Sequence, residues 1–392
     1  MTRFIQIHAL TVYAPSNLNR DDTGRPKTAK FGGAERLRIS SQALKRAIRT
    51  SHAFKTQLEG HLGIRTARTG EWFRAELIKL SVEPDKATAI AKALSAFVGK
   101  VDEEKSTDTS IRNKELFFMA PEERAHFASM IAEIARDPKL ASELAATADA
   151  EDDEQTEADD EDAPKKKEKK KGKLSKEAKQ KLKELREKVL VTVDTAADIA
   201  MFGRMVAKAP EFNREAAVQV AHAITTHKIE VEDDFYTAVD DLKKPSEDAG
   251  AGFIGELGFG SGVFYIYACI DSTLLEKNLG GDKALAATAV AALIEGLATA
   301  SPTGKQASFA SRARASYVRV EKGAQQPRQL SAAFLKPVSG NDLLTASVAE
   351  LEKLAAAMSK AYGACFDSEL TMNVAAGQCS LAELIAFATR EA

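Results

Sequence analysis

The chain has 392 residues, 44% of them hydrophobic, so it can bury a sizeable core as two domains or as one core with large insertions. No apolar run approaches the ~20 residues that cross a membrane and no charged-then-apolar signal pattern opens the chain, which points to the cytoplasm and to no membrane partner. Against 57 Asp and Glu stand 55 Lys and Arg, a formal net charge of −2 that excludes a wholly basic nucleic-acid protein while permitting a local basic track.

Residues 3 to 13 alternate as a strand, with Ile5, Ile7, Ala9 and Thr11 on one face and Phe4, His8 and Val12 on the other. The run reads as a central strand in which His8 is a satisfied structural group. From Pro15 to Arg49 a polar loop, the pair Gly32-Gly33 and a basic helix follow one another. Ser40 or Ser41 is a good N-cap, and Gln42 to Thr50 contains neither Gly nor Pro, so a helix is expected over 41–51. At about 100° per residue, Gln42, Lys45, Arg46 and Arg49 share one arc, while Leu44, Ala47 and Ile48 share the opposite face. A capping serine at a helix N-terminus followed by long basic side chains suits a phosphate backbone; a solvated charged face is the plainer alternative for such a helix alone. Arg20, Arg25, Lys27, Lys30, Arg36 and Arg38 add charge on the preceding loop, where Gly32 and Gly33 let backbone approach a ligand.

Residues 71 to 147 read as helical, with amphipathic segments near Glu71–Ser81, Lys86–Val98 and Glu122–Ile134. The stretch 149–188 holds 14 acidic and 13 basic residues, first almost purely acidic and then lysine-dominated, and reads as a self-neutralised solvated linker that turns helical after Leu174. In Gly203-Arg204-Met205 the glycine permits close approach, the arginine can hold a phosphate and the methionine is a soft apolar wedge. Val218 to Val231 and Gly262 to Asp271 are strand-like. Between them lies a glycine-rich, acidic segment carrying Phe235, Tyr236, Phe253, Ile254 and Phe259, whose exposed apolar residues favour function in a projecting hairpin. His222 and His227, five apart, fall on opposite strand faces and do not suggest a shared metal. Cys269, Cys365 and Cys379 are scattered without a Cys-x-x-Cys pair, so neither a disulfide framework nor a metal site is indicated, and no cofactor is expected. Asp282 to Thr299, Asn341 to Tyr362 and Leu381 to Glu391 read as helices. Ser311 to Val320 reads as a strand from which Arg312 and Arg314 project, and Lys305 lies in a basic turn.

Several of these stretches carry a resemblance. Phe4-Ile5-Gln6-Ile7-His8, Leu18-Asn19-Arg20-Asp21-Asp22, Phe31-Gly32-Gly33 and Arg38-Ile39-Ser40-Ser41-Gln42 with Leu44-Lys45-Arg46-Ala47 resemble the CasC family, the repeated backbone subunit of type I-E CRISPR Cascade complexes. Ala221-His222-Ala223-Ile224-Thr225-Thr226-His227, Thr237-Ala238-Val239-Asp240-Asp241-Leu242 and Ser261-Gly262-Val263-Phe264-Tyr265 are similar to the same family. The resemblance covers the first 50 residues and roughly 200 to 281. It implies an α+β fold, an RRM-like (ferredoxin-like) palm over 1–54 and 196–392, a helical insertion over 55–195 and a protruding β-hairpin thumb over 232–261. The aromatic signature of a typical RRM is absent, so bases are not expected to stack on the open sheet.

The same resemblance implies that Arg20, Lys27, Arg38, Ser40, Gln42, Lys45, Arg46, Arg49 and Arg204 grip the phosphates of a CRISPR RNA guide. Met205, Phe235, Tyr236, Thr237 and Ile254 would wedge between its bases. Partners would be copies of the chain in a head-to-tail filament, the CasA, CasB, CasD and CasE subunits, and target double-stranded DNA, with no catalysis. The alternative is a metal-dependent ribonuclease subunit of a type III-like effector using the carboxylate pair Asp21/Asp22.

Overall fold

The computed structural model describes residues 3–147, 174–189, 196–206, 210–238 and 253–390. They fall into two compact units, one of residues 1–59, 217–277 and 281–392, the other of 60–216 with 278–280. In chain order the first unit opens with β1 (Phe4–Ser16), β2 (Thr28–Phe31), β3 (Ala34–Ile39), α1 (Ser41–Thr50) and α2 (His52–Gln57). The second unit follows with β4 (Ile64–Thr66), α3 (Thr69–Lys79), α4 (Pro84–Ser95), β5 (Phe117–Met119), α5 (Pro121–Arg136), α6 (Pro138–Thr147), α7 (Lys176–Val189) and α8 (Ala197–Phe202). The first then resumes with β6 (Val218–Val220), β7 (Ala223–Thr225), β8 (Glu232–Ala238), β9 (Phe253–Asp271), α9 (Ser272–Asn278), α10 (Lys283–Thr299), α11 (Gln306–Phe309), β10 (Ala315–Gly323), α12 (Leu343–Tyr362), β11 (Ser368–Asn373) and α13 (Leu381–Thr389).

In the first unit the sheet runs β11-β10-β1-β9-β7-β3-β2, with β6 and β8 also on β9. Its ladders are antiparallel, and β1 pairs with β10 on one side and β9 on the other. Reduced to β1-α1-β7-β9-α10-β10, this is the split βαβ arrangement of a ferredoxin-like palm, so the fold is α+β as expected. As expected too, β1 is a central strand: Ile7, Ala9, His8 and Leu10 are all fully buried, two on each face. On the helical face α10 lies close to α1, where a Cβ on Gly296 would stand 2.8 Å from Ile48 Cγ2. On the other face Leu10, Tyr265 and Tyr317 pack with Leu330, Phe334, Leu351 and Ala355. The sheet face that an RRM leaves open is therefore covered by α12 and the segment before it, in accord with the missing aromatic platform.

His8 is the structural group expected. Leu330 N–H donates to the Tyr265 hydroxyl oxygen at 3.0 Å, which leaves the hydroxyl proton for His8 Nδ1 at 2.9 Å. Burial lowers the His8 pKa, keeping the ring neutral. On Glu321 burial acts upward, but the nearby His8, its Nε2 3.6 Å away, and hydrogen bonds from Arg328 and Arg319 outweigh it and hold the carboxylate ionised.

The second unit is organised by helices whose apolar faces meet: Phe73, Leu77, Ile90, Leu94, Phe127 and Ile131 are core residues. Here the linker reading is corrected for 174–189. Ala178, Leu182 and Leu185 recur at helical spacing on α7 and are buried in this core, while Lys176, Lys179, Lys181 and Lys183 are exposed. In the N-terminal half of α7, Lys181 pairs with Asp137 (2.7 Å) and Glu177 with Lys139 (2.9 Å). The remainder of the charged stretch, 149–173, lies outside the described residues. Residues 196–216 also belong to this unit.

Candidate nucleic-acid interface

Helix α1 forms as its sequence dictates. Ser40 is the N-cap, its hydroxyl accepting from Ala43 N–H at 3.3 Å, and the first turn contains no acidic residue. Leu44, Ala47 and Ile48 are buried, while Gln42 and Arg46 are exposed and Lys45 and Arg49 half-buried on the opposite arc. Burial lowers the Lys45 pKa, so this ammonium is partly stripped of water before any anion arrives.

The preceding loop is more structured than its composition suggests. Gly32 and Gly33, both with positive φ, form the two-residue turn of the β2–β3 hairpin, in which Phe31 pairs with Ala34. The close backbone approach expected of them is made by Gly32 alone, to Leu335 of the same chain, while a Cβ on Gly33 would meet nothing within 4 Å. Arg36, counted above with the loop cations, is fully buried and donates to Thr225 O (3.0 Å) and Phe334 O (2.8 Å). That charge is consumed internally.

Arg38 remains available at the surface. Its Nε donates to Thr28 O at 3.3 Å, and its Nη1 bonds His222 Nδ1 at 3.0 Å. Backbone bonds draw Lys27 and the helix start together with it. Arg38 N–H donates to Lys27 O (2.8 Å), Lys27 N–H to Asn19 O (2.8 Å) and Ser40 N–H to Asn19 Oδ1 (2.8 Å). Arg20, exposed, pairs with Pro26 at the neck of the turn 20–26. Lys27, Arg38, Ser40 and the outer arc of α1 thus form one cationic track in the first unit, with Arg20 at its edge. His222 is the member that sequence reasoning missed. Arg38 lies 184 residues away, and no local spacing signals that contact.

The carboxylate pair is unequally placed. Asp21 Oδ1 accepts from Thr23 Oγ1 (2.8 Å), Thr23 N–H (3.0 Å) and Arg25 N–H (3.0 Å), bonds that hold its pKa below the ordinary value. Arg25 makes its ion pair with Asp233, at 3.0 Å, rather than with this pair.

The expected thumb is a two-stranded arm. β9 pairs with β1 as far as Gly260, and before that point it pairs with β8 from Glu232↔Phe259 to Ala238↔Phe253; the tip, 239–252, lies outside the described residues. Phe235 is 69% exposed and Tyr236 46%. Being adjacent in a strand, they face opposite ways. Tyr236 stands opposite Gly255, where a Cβ would come within 2.5 Å of its ring, so only glycine allows the ring to lie across the partner strand. Phe235 and the exposed Thr237 share the other face, and Ile254 occupies the register position opposite Thr237, its side chain outside the described residues.

Arg204 and Met205 belong to the second unit. Met205 is 81% exposed, as a wedge must be. Arg204 is corrected: its side chain is 1% exposed and forks onto Glu123 at 2.6 and 2.8 Å, while also donating to Phe118 O (2.8 Å) and Phe212 O (3.1 Å). With its donors committed inside the unit, this guanidinium ties α8 to the start of α5 and presents no open face to a phosphate.

Palm and arm define an α+β backbone subunit of the CasC type. The family described as CT1975-like protein matches residues 5–390, and the chain belongs to that family. A chain of a solved "CRISPR RNA-guided surveillance complex, pre-nicking" superposes with a TM-score of 0.78 at 28% identity, covering 98% of this chain and 99% of that one. A chain of a second "CRISPR RNA-guided surveillance complex" gives 0.68 at 24% identity, with coverage again 98% and 99%. No curated protein matches the chain by sequence.

Proposed function

We propose that this chain is the CRISPR RNA-binding backbone subunit of a type I-E Cascade surveillance complex, acting in the cytoplasm of a bacterium in antiviral defence. Copies assemble head to tail along the guide, a heterologous contact that does not close and so generates a helical filament. They work beside CasA, CasB, CasD and CasE to present the guide to target double-stranded DNA. The observation that carries this reading is the cationic track of Lys27, Arg38, Ser40 and α1 in the same unit as an arm bearing an exposed Phe235. Phosphate contacts position a strand without reading it, so the track fits any guide sequence, and base pairing supplies specificity. The apolar arm then opens the stack at intervals, leaving the bases between free to pair.

The role is that of a scaffold, with no cutting of RNA. Its support is that Asp21 spends a carboxylate oxygen on its own turn. Expression with a CRISPR array should yield a ribonucleoprotein whose guide shows evenly spaced reactive positions on footprinting. The assembled complex should leave complementary RNA intact in Mg²⁺, and specific cuts abolished by Asp22→Ala would establish the ribonuclease alternative instead.

A further inference from the structure

Arg25 sits on the turn between Arg20 and Lys27, yet its guanidinium faces the arm. Nη2 lies 3.0 Å from Asp233 Oδ1 and 3.4 Å from Oδ2, and Nη1 lies 3.9 Å from Glu256 Oε1. In the ladder Asp233 stands opposite Gly258 and Phe235 opposite Glu256, so both carboxylates and Phe235 occupy one face of the arm on neighbouring rungs. Beneath Arg25 the fully buried Asn17 donates its amide to Gly24 O (3.0 Å) and to Gly258 O (2.8 Å), stitching turn to arm. Pro26 closes the same seam, its Cδ 3.1 Å from where a Gly258 Cβ would be. On the other side the turn continues through Lys27 and Asn19 to the Ser40 cap of α1.

We propose that Arg25 is a positioning residue, clamping the root of the arm to the turn that carries Lys27 and so setting the span between the gripped phosphates and the base step opened by Phe235. This rests on the guide-binding reading above. A half-exposed ion pair adds little stability, so its value is geometric: a planar fork held by two carboxylates fixes a direction that a single backbone contact does not. Asp233 is then the acceptor for Arg25 and Glu256 a second counter-charge beside it, and their negative charge close to an RNA-binding surface has a use.

The test is footprinting of the assembled complex on a single-stranded RNA guide of defined sequence, together with RNA affinity of the full chain against salt. Arg25→Ala should keep affinity within about threefold and the salt slope unchanged, because the pair is exposed and the arginine holds no phosphate. It should nevertheless lose the contrast of the periodic footprint. Asp233→Asn with Glu256→Gln should lose the same contrast although Arg25 is intact. Arg25→Glu with Asp233→Arg and Glu256→Gln should restore it, a rescue that a general loss of fold, followed by thermal melting, would not show. A periodic wild type with undiminished contrast in the carboxylate variant overturns the proposal alone. So does an Arg25→Ala salt slope reduced by about 0.7, which would make Arg25 a phosphate ligand. A wild type without any period overturns the guide-display reading and the proposal with it.

Discussion

Arg38 and His222, 184 residues apart in the chain, meet at 3.0 Å between Nη1 and Nδ1. An arginine has no lone pair to give, so the ring nitrogen accepts and His222 must be neutral at Nδ1. The contact joins β3 to the segment between β6 and β7 and adds a titratable group to the edge of the cationic track.

A pH dependence follows from it. Burial first, and then the positive charges of Arg38 and Lys27, lower the His222 pKa below the ordinary 6.5. The unfolded chain therefore takes up the proton first as pH falls, so this contribution to stability is present at neutral pH and is lost as pH drops from 6.5 through the folded value. A phosphate lying on Arg38 and Lys27 cancels the repulsion and raises the bound-state pKa. RNA affinity should accordingly increase as pH falls through that window, and Arg38→Ala should shift the His222 midpoint upward in an NMR titration. A midpoint at or above 6.5 in the RNA-free protein would sink the assignment.

For the grip itself, Lys45→Ala with Arg49→Ala should weaken binding of different guides about equally, since phosphates carry no base information. Each lost contact should flatten the dependence of log K on log salt by about 0.7. Loss confined to particular guide sequences would place these residues at bases.

Arg204→Ala should destabilise the second unit by about 3–5 kcal/mol in denaturant unfolding, because it strands Glu123, 2% exposed, without its counter-charge. Arg204→Met with Glu123→Leu should recover much of that. At a salt concentration where the single variant stays folded, its RNA salt slope should match wild type; a reduced slope would return Arg204 to the phosphate-binding set.

Truncating α7 is expected to be costly where its charge pattern suggests an appendage. Leu182→Ala and Leu185→Ala, 5% and 3% exposed in the wild type, should each cost roughly 2–5 kcal/mol. Replacing residues 174–189 by a flexible linker should unfold the unit, seen as an early thermal transition, whereas a melting profile like that of wild type would restore the appendage reading.

The two faces of the arm separate the wedge residues. Phe235→Ala should blur the periodic footprint while leaving the salt-dependent affinity of the isolated chain intact, as insertion and charge act independently. Tyr236→Ala removes a ring that lies over Gly255 on the other face, so it should loosen the arm and blur the footprint less. Equal effects would mean that both faces meet the strand.

Short-range order was legible wherever a period or a cap carried it. The alternation of residues 3 to 13 specifies a strand buried on both sides. Ser40 and the arc of Gln42, Lys45, Arg46 and Arg49 specify a capped helix with a polar outer face, and the glycine-rich, aromatic segment before Gly262 announces the arm. These features depend on bonds and side-chain directions within a few residues, which is the range over which composition and spacing act. The fate of individual charges was not legible. Arg36 and Arg38 are two apart on one strand, yet Phe334, almost 300 positions later, covers the first and leaves the second at the surface. Arg204 reads as a phosphate ligand until Glu123 arrives from α5, and the lysine-rich α7 reads as solvated until a core forms beneath Ala178, Leu182 and Leu185. The sequence by itself determined which segments are helix, strand and arm; tertiary structure alone decided which cations stay open to a polyanion, because desolvation and counter-charge are supplied by residues distant in the chain.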